Sequence, residues 1–177
     1  MGKVTLPEKV MLFSSVIHHE KAPVDRAMSK LEESFGPSLM TTPSVPFTYT
    51  DYYFKEMGAP LFRFIIAFSE LVERDSMPEI KIMTNKMEHD FLDEGNRTIN
   101  LDPGILSQEN ICLATTKPYS HRIYLGKGIW AEITLIYRGE SFQRLEWTYP
   151  DYGSNEFIEI FNNLRKSYRR RLKCPQA

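Results

Sequence analysis

Residues 97–138, RTINLDPGILSQENICLATTKPYSHRIYLGKGIWAEITLIYR, constrain this chain more than any other stretch. Two alternating runs flank Gly126-Lys127-Gly128, which predicts a hairpin of His121–Leu125 and Ile129–Tyr137. If Leu125 pairs with Ile129, then Tyr124 faces Trp130, Ile123 faces Ala131 and Arg122 faces Glu132. A slip of one residue breaks that charge pair and turns every side chain to the other face. Upstream, Asp102-Pro103-Gly104 carries turn chemistry, since Pro presets φ and Gly tolerates a positive one. The residues from Ile105 or Ser107 to Ala114 read as a short helix.

The rest of the chain supplies the frame. Val10–His18 is apolar on both faces, as a central strand covered on two sides must be. Pro23 opens a helix whose buried stripe is Val24, Ala27, Met28, Leu31 and Phe35, and Gly36 closes it. Phe47–Phe54 is aromatic and β-branched, hence strand. Leu61–Phe68 is a stronger one, with Phe62, Phe64, Ile66 and Phe68 on one face. A second helix runs from Ser76 and Pro78 to about Leu92 with Ile80, Met83, Met87 and Phe91 inward, and Arg97–Leu101 is a further strand. Residues 139–153 are loop. Ser154 caps a last helix with Phe157, Ile160, Phe161, Leu164 and Tyr168 inward.

The expected fold is therefore one α+β domain over residues 1–177. Its sheet is mainly antiparallel in ferredoxin-like βαββαβ order, extended by the 121–137 hairpin and closed by a C-terminal helix. That architecture implies no function. A chain of 177 residues can bury about 70% of its unfolded surface without a disulfide or metal. Cys112 and Cys174 read as reduced thiols, since their spacing makes no metal or redox pair. The N-terminus has no signal-peptide pattern and no apolar run reaches the length of a membrane span, so the expected location is cytoplasmic.

TDYYFKEMG at 50–58, NLDPG at 100–104, LATTK at 113–117, HRIYLGKGIWAEITL at 121–135 and WTYPDY at 147–152 together resemble one prokaryotic family, DUF4416. The opening GKVTLPEKVMLF is similar as well, so the resemblance spans nearly the whole chain. It implies no activity, because the family is one of unknown function. No GxxxxGKS/T phosphate loop and no paired His-x-Thr pattern is present, and no motif names a cofactor.

Candidate chemistry concentrates in the opening stretch. Lys117, His121 and Arg122 place three potential cations within six residues, with Glu132 across the hairpin as an orienting carboxylate. Tyr124 and Trp130 could wall a base or sugar. The competing reading of Arg122 and Glu132 is a structural cross-strand ion pair, worth a few tenths of a kcal/mol if exposed, and that of His121 a surface or capping residue. Asn100 and Asp102 are further ligand candidates, or else satisfy backbone groups at the turn. Asp51 stands out because a carboxylate on a buried strand needs a partner. Tyr149 and Asp151 read mainly as a loop lock.

A helix over 105–114 would be about 15 Å long. It would keep Asp102 away from Lys117, so the favoured cluster is Lys117, His121, Arg122 and Glu132, joined by Asp51 if its strand is adjacent. Adjacent His18 and His19 point to opposite strand faces and do not chelate easily. The expected partner is a small anionic ligand; the alternative is a non-catalytic interaction or structural module. The basic run from Arg165 to Lys173 complements the helix dipole. With a net charge of −1 and no interleaved stacking aromatics there, no strong nucleic-acid binding is expected. Filter binding at rising salt checks this: submicromolar RNA or DNA binding with a steep salt slope would contradict it.

Overall fold

The computed structural model describes residues 2–173. Its centre is β1 (Val10–His19). Both faces of this strand are apolar because both are covered. Leu12 and Val16 pack against Leu31 and Phe35 of α1 (Val24–Phe35) and against Ile80 and Met87 of α3 (Met77–Glu88). Met11 and Phe13 pack on the other side against Phe157, Phe161, Leu164 and Tyr168 of α4 (Asn155–Lys173). The result is three layers: two helices, a sheet, one helix. Ser154 caps α4 as expected, its hydroxyl accepting from Phe157 N–H at 3.2 Å.

The α+β class and the large antiparallel sheet agree with the expectation. The sheet path uses β2 (Ser38–Thr41), β4 (Leu61–Val72), β7 (Ile99–Leu106), β8 (Asn110–Thr115), β10 (Ile129–Arg138) and β11 (Ser141–Arg144). Its order is β11-β10-β8-β7-β1-β4-β2, every pairing antiparallel. Two short strands attach to its side: β3 (Val45–Pro46) on β4, and β9 (Arg122–Gly126) on β10. A small separate hairpin joins β5 (Leu92–Asp93) to β6 (Asn96–Arg97). The 121–137 hairpin keeps the expected pairs Tyr124↔Trp130, Ile123↔Ala131 and Arg122↔Glu132. The turn differs by one step: Ile129 pairs with Gly126, because Gly126, Lys127 and Gly128 all take positive φ.

Five expectations fail, each for a physical reason. Residues 47–54 are not a strand. Thr50 Oγ1 accepts from Tyr52 N–H and Asp51 O from Phe54 N–H, which curls the segment into α2 (Phe54–Met57), and β2 takes the place beside β4. Asp51 is accordingly exposed. Asp102-Pro103-Gly104 is not a turn but the middle of β7, opposite Ser15, Ser14 and Phe13. Residues 105–114 are not a helix but two strands joined at Ser107, whose hydroxyl accepts from the N–H groups of Glu109 and Asn110. Alternation decides it: Leu106, Ile111 and Leu113 enter one core, Ile105 and Ala114 another. Met83 is exposed rather than inward, because α3 turns Lys81, Thr84 and Glu88 toward the sheet instead. Residues 141–144, expected as loop, form the edge strand β11. Cys112 is a half-buried thiol that burial pushes up to about 11, and Cys174 lies outside the described residues.

Gly104 has a packing reason rather than a turn reason. A Cβ there would meet Phe13 Cζ at 2.5 Å and Leu113 Cδ2 at 2.8 Å. Gly104→Ala should therefore cost about 1–3 kcal/mol in urea unfolding. Phe13→Leu, which removes the clashing ring atoms, should make the same alanine cheaper. Equal cost in both backgrounds would show that the crowding is not the cause.

Candidate functional site

The site begins where the sheet parts. The β7–β8 ladder covers only Gly104–Leu106 against Leu113–Ile111, while β7 stays paired with β1 back to Ile99. Residues 99–103 thus present an open backbone edge toward the gap, and an open edge inside a protein needs partners. Helix α3 supplies them. Glu88 Oε1 accepts from Leu101 N–H at 2.7 Å, and Lys81 Nζ donates to Leu101 O at 3.0 Å. Pro103 lies two residues on, so its missing N–H falls on this same open side and breaks no ladder bond.

Asp102 and Asn100 stand on the opposite strand face from Leu101, by period-two alternation. Lys81 Nζ reaches Asp102 Oδ1 at 3.1 Å, and Asn100 Nδ2 donates to Oδ2 at 2.7 Å. Arg97 donates to Asn100 Oδ1 at 2.9 Å and to Glu88 at 2.8 Å, and grips Glu56 bidentately at 2.6 and 2.7 Å. Burial works to raise the Asp102 carboxyl, but Lys81, Asn100 and Arg63 outweigh it and hold it below its usual range. For Glu88 burial prevails and the carboxyl is pushed up despite Lys81 and Arg97.

A second cluster sits two strands from β7, beyond β1. Arg63, the third residue of β4, is buried, donates Nε–H to Ser15 Oγ at 2.7 Å and is ion-paired with buried Asp151. Its guanidinium lies between the rings of Phe47 and Tyr152, 5.2 and 4.8 Å away. Asp151 also accepts from Tyr152 N–H at 2.8 Å. The loop lock expected of Asp151 is this pair.

The third cluster is the hairpin. Glu132 Oε2 accepts from Arg122 Nε at 2.9 Å and lies 3.0 Å from His121 Nε2. Arg122 further donates to Lys117 O at 2.9 Å and Tyr149 Oη at 3.0 Å. The side chains of Glu132 and Arg122 are only 2% and 10% exposed, so this cross-strand ion pair is a buried one. Burial, opposed by Arg122, raises the Tyr149 phenol.

These clusters enclose a cleft of about 490 Å³. Lys117, Arg122, Glu132, Asn100 and Asp102 all line it. Asp102 and Lys117, expected apart, therefore share one site, because the chain between them doubles back as a hairpin instead of rising as a helix. His121 stays behind Glu132, stacked on Trp147 at 4.9 Å, and is not in the lining. Tyr124 and Trp130 contact each other at 5.1 Å further along the hairpin and do not line the cleft either; nor does Asp51.

Sequence reasoning missed Arg63, Lys81, Asn85, Tyr53 and Tyr152, all in the lining. Two signals were present: a charge inside LFRFIIAF, and the polar positions 81, 84 and 88, which share one face of α3.

Among the cations of the lining, Lys117 differs from the rest. Its Nζ donates to Tyr52 Oη at 2.6 Å and lies 4.3 Å from that ring's centre, and it pairs with no carboxylate among the described residues. Tyr49, Tyr53 and Tyr149 add aromatic wall. Such a cleft can hold a compact polar ligand with an anionic group at one end.

Fold and site together define a three-layer α+β protein with a polar, tyrosine-walled cleft at the parting of its sheet. A family model described as "Domain of unknown function (DUF4416)" matches residues 8–168, and the chain belongs to this family. No curated protein and no solved structure matches the chain. Among the described residues, no helix is long and apolar enough to cross a membrane, and no group of three or more His, Cys, Asp or Glu is placed to hold a metal ion.

Removing the hairpin carboxylate leaves a buried guanidinium without its counter-charge. Glu132→Gln should cost more than about 1 kcal/mol by urea unfolding. A loss below about 0.5 kcal/mol would put the pair in the exposed class.

Proposed function

We propose that this protein binds a small anionic ligand, a nucleotide or a phosphorylated metabolite, in the cleft, and does so in the cytoplasm. The observation that carries the reading is Lys117. The other cations of the lining already answer to carboxylates: Arg63 to Asp151, Lys81 to Asp102, Arg97 to Glu56 and Glu88, Arg122 to Glu132. Lys117 has only the Tyr52 phenol, which an anion can displace. An ammonium suits this role, as a mobile point charge on a long stem. Arg122, held by Glu132, fixes the 117–122 backbone by donating to Lys117 O, and so positions the lysine.

The second reading is a non-catalytic interaction or structural module. It draws support from the same pairings, since a network complete without a ligand can serve the fold alone.

A thermal-shift screen against nucleotides and sugar phosphates separates the two. A binder at a hundred times its Kd stabilises by about 2.7 kcal/mol, or roughly 5–10 °C in Tm for a chain of this size. Lys117→Ala should abolish the shift while leaving the unliganded Tm within about 2 °C. A flat screen, or a shift unchanged in Lys117→Ala, would favour the second reading.

A further inference from the structure

The cleft has a second polar end, chemically unlike the first. Asp102 lies in β7 two residues from Gly104, and Lys117 lies four residues beyond Leu113, the partner of Gly104. Both line the one cleft with different partners: Asp102 is held by Lys81 and Asn100, Lys117 by Tyr52.

We propose that the Asp102 end is a polyol subsite, which takes the hydroxyl-bearing part of a phosphate monoester whose anionic group meets Lys117. The inference rests on the anion-binding reading above and specifies its ligand class.

The argument is one of hydrogen-bond capacity. An ionised carboxylate offers about four acceptor positions. Asp102 uses one on each oxygen, for Lys81 and for Asn100, and its side chain is still 28% exposed in the cleft lining. A group that only accepts repels a phosphate and selects donors. Hydroxyls are donors, and a vicinal pair can address both oxygens.

The neighbours complete the match. Asn85 lines the cleft and makes no side-chain hydrogen bond among the described residues. Tyr152 lines the cleft, and its buried hydroxyl stands beside Ser15. Tyr53 lines the same end, close enough to feel the Asp102 charge; burial and that charge hold its phenol protonated. Amide and phenol groups both donate and accept, as sugar hydroxyls do. A bare anion could use only their donors, whereas a hydroxyl can use both roles.

The subsite is also fixed before any ligand arrives. Lys81 is anchored on Leu101 O, and Asn100 is oriented by Arg97. Neither Asp102 oxygen has to be reoriented to receive a hydroxyl.

Calorimetric titration with ribose 5-phosphate and with inorganic phosphate tests the proposal. Wild type should bind ribose 5-phosphate at least ten-fold more tightly than phosphate. Asp102→Asn should bring that ratio close to one without weakening phosphate. Asn85→Ala, which removes no side-chain hydrogen bond among the described residues, should lower the ratio several-fold and serves if Asp102→Asn does not fold. Lys117→Ala should weaken both probes. A ratio near one in wild type, or a high ratio that survives both Asp102→Asn and Asn85→Ala, overturns the polyol subsite. Loss of both probes in Lys117→Ala would then still leave the anion site standing. If Lys117→Ala binds both probes unchanged but Asp102→Asn lowers the ratio, the subsite stands and the Lys117 reading falls. No binding of either probe overturns both.

Discussion

A guanidinium buried on a sheet strand has to be matched, and Asp151 matches Arg63. Both side chains are almost fully buried. Taking either charge out of water alone would cost several kcal/mol, and breaking a buried pair by deleting one partner costs about 3–5 kcal/mol. Replacing both by apolar groups is often neutral, so the pair is better understood as a positional device. It holds residues 149–153 down on the sheet. That places Tyr152 on one side of the guanidinium, with Phe47 on the other, and puts Tyr149 within reach of Arg122. Three segments distant in sequence are registered by one ion pair. The walls of the cleft follow from that registration.

The second constraint is the parting of β7 and β8. A sheet that splits exposes backbone groups with nowhere to go, and the usual remedy is to cover or pair them. Here the cover is chemical. Lys81 donates to the C=O of Leu101 and Glu88 accepts from its N–H, and in the same act they shape the charge of the cleft through Asp102 and Arg97. One set of side chains closes the edge and furnishes the site. The bidentate Arg97–Glu56 bridge then ties α2 to this network, beneath the loop that carries Tyr49, Tyr52 and Tyr53.

What was legible in the sequence was local periodicity with a long reach. The strand β1, the Phe62–Phe68 face of β4, the stripes of α1 and α4 and the register Arg122↔Glu132 all follow from patterns that hold over many residues. What was not legible was chemistry overridden by packing. Asp-Pro-Gly is a turn by its own preferences. At 102–104 it is strand because Pro103 falls on the open edge and Gly104 fits under Phe13. Residues 105–114 can be written on a helix, yet Ile111 and Leu113 alternate into one core around a turn held by Ser107. These two errors compounded at the site: the false helix separated Asp102 from Lys117, which the true hairpin brings into one cleft. Arg63 carried a visible signal, a charge inside an apolar strand. Its partner lies 88 positions away, beyond any local rule.

The cleft's electrostatics also bear on how a ligand would be held. Its carboxylates and most of its cations are desolvated and paired within the folded protein, so that cost belongs to folding and not to binding. Lys117 is the exception: its partner is a neutral phenol on a loop whose other tie to this side is the Glu56–Arg97 bridge. A ligand anion reaching Lys117 exchanges a neutral acceptor for a charged one, and charge-assisted hydrogen bonds are about twice as strong. Arg122, held by Glu132, keeps the Lys117 backbone in place by donating to its carbonyl, so only the long side chain of the lysine has to move.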